Sequence, residues 1–282
     1  MDKSIYSLLK DQYGEDRTEE ILNSFSSETP TYIRVNTQKT SLTELSEALA
    51  KQNIHIEPVS DLEGCALVSN IGTLLQIKEF NEGHFYVQDM ASQKCCSTLS
   101  PKDAKRILDV CAAPGGKSFT ISLLAGENCK VVSCDLYENR VSLIKKGAER
   151  LSLKNIEPTV NDASVYNEKL GKFDRVLCDV VCSGLGVIGK KPEIRYKNID
   201  PSELFDIQYS ILRTSAKYLE NGGILVYSTC TLNKRENEAV VDKFLKENSA
   251  FSLESQKTYF PDTDGCDGFF VAKLVKTKDE NL

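Results

Sequence analysis

Two thiols stand where short apolar runs end. Cys182 follows Val176-Leu177-Cys178-Asp179-Val180-Val181, and Cys230 follows Gly223-Ile224-Leu225-Val226-Tyr227-Ser228-Thr229. In an open α/β sheet the carboxyl ends of strands are where ligands bind. A thiol there can act as a nucleophile, whereas a buried thiol is a small apolar packing group. The other eight cysteines are Cys65, Cys95, Cys96, Cys111, Cys129, Cys134, Cys178 and Cys266. No two have CxxC spacing and the imidazoles are His55 and His84, so a zinc site is not expected. Nor is a disulfide framework, because 282 residues with 40% apolar content can bury a core without staples.

A second constellation surrounds Leu108-Asp109-Val110-Cys111-Ala112-Ala113-Pro114-Gly115-Gly116-Lys117-Ser118, a strand–turn–helix junction. Its two glycines permit a tight turn and close ligand approach, and the helix that follows offers unpaired N–H groups. The spacing is neither that of a P-loop nor that of a dinucleotide fingerprint. Successive strands then end in acids: Asp109, Asp135, Asp162 and Asp179. Such carboxylates can accept from a ribose hydroxyl pair or an exocyclic amine and attract a cation. One acid of this kind is a turn residue. Four around a glycine-rich turn point to a nucleoside-bearing ligand that also carries positive charge, a description that S-adenosylmethionine fits.

The elements that must position these groups follow from periodicity. From about residue 85, strand and helix patterns alternate: strands at 106–111, 130–134, 157–160, 173–178, 223–227 and 269–275, with helices at 88–99, 116–124, 138–151, 201–219 and 234–247. This predicts an α/β, Rossmann-like domain with a mostly parallel sheet at 83–276. Residues 1–82 predict a small α+β domain. It has helical periodicity over 2–25, a capped helix starting at Ser41, and strands near 32–36, 66–68 and 74–77. The charged tail, 277–282, is expected to fray.

The net charge of −6 and pI near 5.2 do not mark a nucleic-acid binder, although a local basic patch can supply phosphate contacts. The candidate is Lys190-Lys191-Pro192-Glu193-Ile194-Arg195-Tyr196-Lys197. A solvated charged loop explains it equally well from composition. No initial apolar signal segment or membrane-length apolar run is evident, so a cytoplasmic protein is expected.

Asp109 to Ser118, Asp179 to Gly184 and Tyr227 to Thr231 together resemble the RNA cytosine-C5 methyltransferases of the bacterial rRNA-modifying, Sun-like type. Arg34-Val35-Asn36, Tyr86 to Ser92 and Asp267 to Lys273 add to the likeness, which runs from about Tyr32 to Lys276. The resemblance implies a methyltransferase domain behind a small RNA-binding domain, without the further N-terminal helical domain that some members carry. It implies S-adenosyl-L-methionine as cofactor, with its methionine end near Cys111, Ala112, Ala113, Pro114, Gly115, Gly116 and Lys117. It puts Asp135 on the ribose, Asp162 near the adenine and Asp179 between cofactor and base, with Arg140 supporting the pocket. It implies Cys230 as the nucleophile toward carbon 6 of cytosine and Cys182 as the thiol assisting release. Lys190, Lys191, Arg195 and Lys197 become candidates for RNA contact, and Arg34 and Asn36 candidates for anchoring RNA or the domain junction.

This chain departs from the family at Val181, where Pro is usual before the assisting Cys; either Cys182 is less rigidly placed and product release slower, or the loop is held another way. The expected partner is rRNA or a ribosomal subunit, not DNA or a membrane, and the protein is expected to be a monomer. A tRNA is the chief rival substrate. Two further readings are a small-molecule or protein methyltransferase and a catalytically quiet RNA-binding or ribosome-assembly protein. The first leaves two strand-end thiols without a purpose, and retention of both thiols argues against the second.

Overall fold

The computed structural model describes residues 2–26, 29–69, 72–196 and 201–277. The chain opens with α1 (Lys3–Tyr13), α2 (Glu15–Ser24), β1 (Thr31–Val35), α3 (Leu42–Ala50), β2 (His55–Pro58) and β3 (Cys65–Ser69). Then come α4 (Lys78–Asn81), β4 (Phe85–Val87), α5 (Met90–Thr98), β5 (Arg106–Asp109), α6 (Gly116–Ala125), β6 (Lys130–Asp135), α7 (Glu138–Leu151) and β7 (Ile156–Val160). The last part holds β8 (Phe173–Asp179), α8 (Pro201–Ala216), β9 (Leu219–Thr229), α9 (Glu238–Glu247), β10 (Phe251–Tyr259), α10 (Pro261–Asp264) and β11 (Phe269–Lys276). Among the described residues there are two sheets, one four-stranded and antiparallel, the other seven-stranded, mixed and Rossmann-like.

Two compact units carry these elements, one of residues 30–161 and one of residues 1–29 with 162–282. The helices α1 and α2 belong with the second half of the chain.

In the unit of residues 30–161, the small sheet has the order β2-β3-β1-β4. Its core gathers Ile33, Val35, Leu45, Leu49, Ala66 and Phe85. A capping box starts α3: the Ser41 side chain accepts from the Glu44 N–H and the Glu44 carboxylate accepts from the Ser41 N–H. The run Leu74–Ile77, expected as a strand, is a turn whose Leu74 and Ile77 join this core. Strands β5, β6 and β7 pair in parallel. On α7 the buried Val141, Ile144, Ala148 and Leu151 recur at helical spacing, and Ser152 in the left-handed region ends it.

In the other unit, β8 and β9 pair in parallel, placing Asp179 beside Ser228. Parallel pairing ends there. The strands β11 and β10 add antiparallel, giving the order β10-β11-β9-β8. Gly14 (φ +82°) separates α1 from α2, and Ile5, Leu9, Ile21 and Phe25 pack on Leu185, Ile188, Ile194 and Leu232. These last four residues lie in the two segments that follow β8 and β9, the segments that carry Cys182 and Cys230.

Candidate active site

The turn after β5 is built by short backbone ties. The Ala112 N–H donates to the Cys134 carbonyl at 2.7 Å, and the Gly115 N–H donates to the Ala112 carbonyl at 2.7 Å. The Ala113–Pro114 bond is cis and Gly115 sits at φ +114°. A Cβ on Gly115 would lie 2.3 Å from the Phe119 ring, so only glycine fits. Asp135, 5% exposed, receives the Ala113 N–H at 3.3 Å and pairs with Arg140 Nε at 3.0 Å. Arg140 Nη2 also donates to the Ala113 carbonyl at 3.1 Å. Arg140 therefore locks the β6 carboxylate to the turn. Beneath them, the Ser133 hydroxyl donates to Ser118 Oγ and Ser118 Oγ donates to Asp109.

One buried donor here has no protein acceptor. Gln88 accepts the Thr120 hydroxyl on Oε1 at 2.5 Å, which leaves Nε2 without a partner, 3.6 Å from where a Cβ of Gly116 would be. A buried N–H without an acceptor is costly, and beside a glycine turn at a helix N-terminus it suits an anionic ligand group. A carboxylate-bearing nucleoside cofactor fits this donor set: Gln88 and the α6 N-terminus for the carboxylate, Asp135 for hydroxyls. Cys111, Ala113 and Lys117 are partly exposed on the turn and Pro114 is exposed.

In the other unit, Asp162 is exposed and closes its own turn, accepting the Ser164 N–H and hydroxyl at 2.9 and 2.6 Å. Asp179 Oδ1 accepts the Ser228 hydroxyl at 2.8 Å. Three residues past Asp179 and two past Ser228, the two thiols meet: Cys182 Sγ lies 3.2 Å from Cys230 Sγ. The hydrogen bond to Cys230, burial and the charge of Cys230 all push the Cys182 thiol well above its ordinary value. Burial and this contact favour the protonated form of Cys182; either sulfur can be the donor in the pair.

Both thiol loops converge on Glu236, a fully buried residue that sequence reasoning did not single out. Its Oε2 accepts the Ser183 N–H at 2.8 Å and Gln208 Nε2 at 2.9 Å, and its Oε1 accepts Asn233 Nδ2 at 2.9 Å. Gln208 Nε2 also donates to the Val181 carbonyl at 2.9 Å. The hydroxyls of Ser183 and Thr231 lie 2.7 Å apart, and the Gly186 N–H donates to the Cys230 carbonyl at 3.0 Å. The loop that lacks the usual Pro is therefore held from outside, on both sides of Cys182. The Val181 side chain itself is 56% exposed.

The residues expected on RNA divide. Arg34 and Asn36 lie in the interior. Arg34 is 2% exposed and donates to the Glu63 carbonyl at 2.6 Å; Asn36 is wholly buried and donates to the Gly83 and Leu151 carbonyls at 2.9 and 2.8 Å. Arg34 Nη1 and the Asn36 amide thus serve backbone carbonyls that burial would otherwise orphan. Lys190 pairs with Asp267 at 2.9 Å, and Arg195 donates to the Phe25 carbonyl at 3.2 Å. Lys191 is exposed, and Lys197 lies outside the described residues. Among the described residues, no group of three or more His, Cys, Asp or Glu side chains could hold a metal ion, and no helix is long and apolar enough to cross a membrane.

The geometry agrees with what the chain is similar to. Residues 4–71 match a ferredoxin-like domain described as Methyltr_RsmF/B-like. The chain is 36% identical over 287 residues to a probable ribosomal RNA small subunit methyltransferase B of Bacillus subtilis, covering 94% of this chain and 64% of that protein. A probable methyltransferase B of Synechocystis is 31% identical over 293 residues, covering 96% and 66%. The chain therefore spans just under two-thirds of the length of these relatives. In fold it matches NSun6 from Pyrococcus horikoshii, solved with SFG, with a TM-score of 0.91 at 22% identity, covering 99% of each chain. Residues 96–275 match the 16S rRNA methyltransferase RsmB/F model, and the chain belongs to that family.

Proposed function

We propose that the protein transfers a methyl group from S-adenosyl-L-methionine to carbon 5 of a cytosine in RNA, with rRNA as the substrate class. The observation that carries this reading is the 3.2 Å pair of thiols at the ends of two neighbouring strands, with Asp179 tethered alongside by Ser228. A methyltransferase acting on an already nucleophilic atom needs no such pair. Carbon 5 of cytosine is not nucleophilic until a thiolate adds at carbon 6.

Cys230 as thiolate forms a bond to carbon 6, and the carbon 5–carbon 6 π pair becomes available at carbon 5. Asp179 accepts from the cytosine amino group or, when protonated, donates to ring nitrogen 3, stabilising the charge that addition places on the ring. The cofactor, when bound, supplies an electrophilic methyl group. The turn at Cys111–Lys117 and Asp135, locked by Arg140, orient it. Cys182 as thiolate takes the carbon-5 proton, the C–H pair re-forms the carbon 5–carbon 6 double bond, and the carbon 6–sulfur bond breaks with its pair leaving on Cys230 as thiolate. Cys182 serves this last stage. A target in a paired region must first leave its stack.

The test uses purified protein, labelled cofactor and rRNA, with 5-methylcytosine mapped by bisulfite conversion. Cys230→Ala is expected to abolish transfer while cofactor binding by calorimetry stays close to that of the parent. Cys182→Ala is expected to accumulate covalent protein–RNA complex. Near-normal turnover by Cys230→Ala would overturn the reading.

A further inference from the structure

Glu236 takes no part in the chemistry above, yet it is fully buried at the junction of both thiol loops. A buried carboxylate without a cationic partner is costly to hold and persists only when its lone pairs are well satisfied. Here they are: the acceptors take one backbone N–H and two amide N–H groups at 2.8 to 2.9 Å. The donors are not arbitrary. Ser183 follows Cys182, and the Gln208 amide reaches both Glu236 and the Val181 carbonyl, so the backbone is gripped on either side of Cys182. Asn233 lies three residues past Cys230 in the other loop, and its Oδ1 in turn receives Gln12 Nε2 from α1 at 2.8 Å.

We propose that Glu236, working with Gln208, is the positioning residue that holds the Cys182 loop in register with Cys230, and that it thereby sets the rate at which the methylated base is released. The catalytic consequence rests on the methyltransferase reading; the geometric one does not. Glu236 takes over the restraint that Pro at position 181 would otherwise provide, which is why Val181 is accommodated. Its charge also helps to keep the Cys182 proton in place.

Glutamine at 236 cannot reproduce the arrangement. All three partners are donors, and one face of a glutamine side chain is itself an N–H₂ group, so one loop must be released. The experiment compares the parent with Glu236→Gln and Gln208→Met in two arms. In the first, without RNA, diamide takes up the two thiol hydrogens as Cys182 and Cys230 join, and the disulfide-linked peptide is followed by mass spectrometry. In the second, single-turnover assays with rRNA separate the formation of the covalent RNA adduct from its release.

The expected result is that cross-linking and release each slow by about tenfold in Glu236→Gln, the effect of losing one hydrogen bond to a charged group, and less in Gln208→Met, while adduct formation changes by about threefold at most. A general loss of structure would slow formation and release together. Parent-like cross-linking in both variants, or a collapse of formation with unchanged release, would overturn the proposal. Should Glu236→Gln fail to fold, as judged by circular dichroism, Gln208→Met decides on the same two arms. If the parent itself forms no RNA adduct, the methyltransferase reading fails while the cross-linking arm still judges the positioning role.

Discussion

Cys182 and Cys230 lie in hydrogen-bond contact, and on the proposed mechanism that contact bears on the order in which they would be used. The Cys182 proton is held by the hydrogen bond to Cys230, by burial and by the Cys230 charge. Once Cys230 is bonded to carbon 6 its sulfur carries no charge, so the first and third of these causes vanish. On the proposed mechanism, Cys182 would then become easier to ionise at the stage where a base is needed at carbon 5. Because its thiol still starts above the ordinary value, release should speed up as pH rises, following the growing thiolate fraction. The check is single-turnover release of the RNA adduct between about pH 7 and about pH 10, with Cys182→Ala as reference. The parent rate is expected to climb with pH and the variant rate to stay flat. A flat parent profile would remove Cys182 from the proton step. At this scale the positions of the two thiols, Asp135 and Asp179 at strand ends were legible because each follows an apolar run. Glu236 was not, because Arg235-Glu236-Asn237-Glu238 reads as the polar start of a surface helix, and its burial comes only from tertiary packing.

The elements that aim the thiols include two that lie far from them in sequence. Beyond the packing of Ile5, Leu9, Ile21 and Phe25 on both thiol segments, the Tyr13 hydroxyl donates to the Leu232 carbonyl at 2.7 Å, and the Asp2 N–H donates to the Arg195 carbonyl at 2.8 Å. Arg17 on α2 pairs with Asp262 on α10. Leu9 is fully buried in this cluster, so Leu9→Ala should cost about 2–5 kcal/mol of stability by removing transfer energy and leaving a cavity. It should also slow diamide cross-linking of Cys182 to Cys230, because both loops lose a shared wall. Chemical denaturation and the linked-peptide assay check the two parts. A stability loss without a cross-linking change would confine α1 to stability alone. Element by element, legibility followed packing. Residues 138–151 were read as a helix to the residue, because four apolar positions at helical spacing all face a core. Phe251–Tyr259 was missed as a strand: its residues are largely exposed and mostly polar, and among the described residues it pairs with β11 alone. Leu74–Ile77 misled because two apolar residues three apart fill a core as well from a turn as from a strand.

For the molecule as a whole, the sequence revealed the α/β class but not which segments pack together, since the joining of residues 1–29 to 162–282 depends on contacts between distant parts of the chain. The same burial fixes how the protein responds to alkali. None of the ten cysteines is in a disulfide, and seven of them are buried. Burial pushes the thiols of Cys65 and Cys134 up from an ordinary 9.0 to about 12, and that of Cys96 is raised well above its ordinary value. In the unfolded chain these groups ionise near the ordinary value, so above it the unfolded state binds fewer protons than the native one. Stability then falls with rising pH. The contribution is complete below 9.0 and is lost progressively as pH climbs toward about 12. The melting temperature is therefore expected to fall from about pH 9 upward, more steeply than in a Cys134→Ala variant, which lacks one such thiol. Scanning calorimetry from about pH 8 to about pH 11, in reducing buffer so that no disulfide forms, measures both slopes. Equal slopes would mean that Cys134 ionises as readily in the native state as in the unfolded chain, and that its burial does not hold the proton.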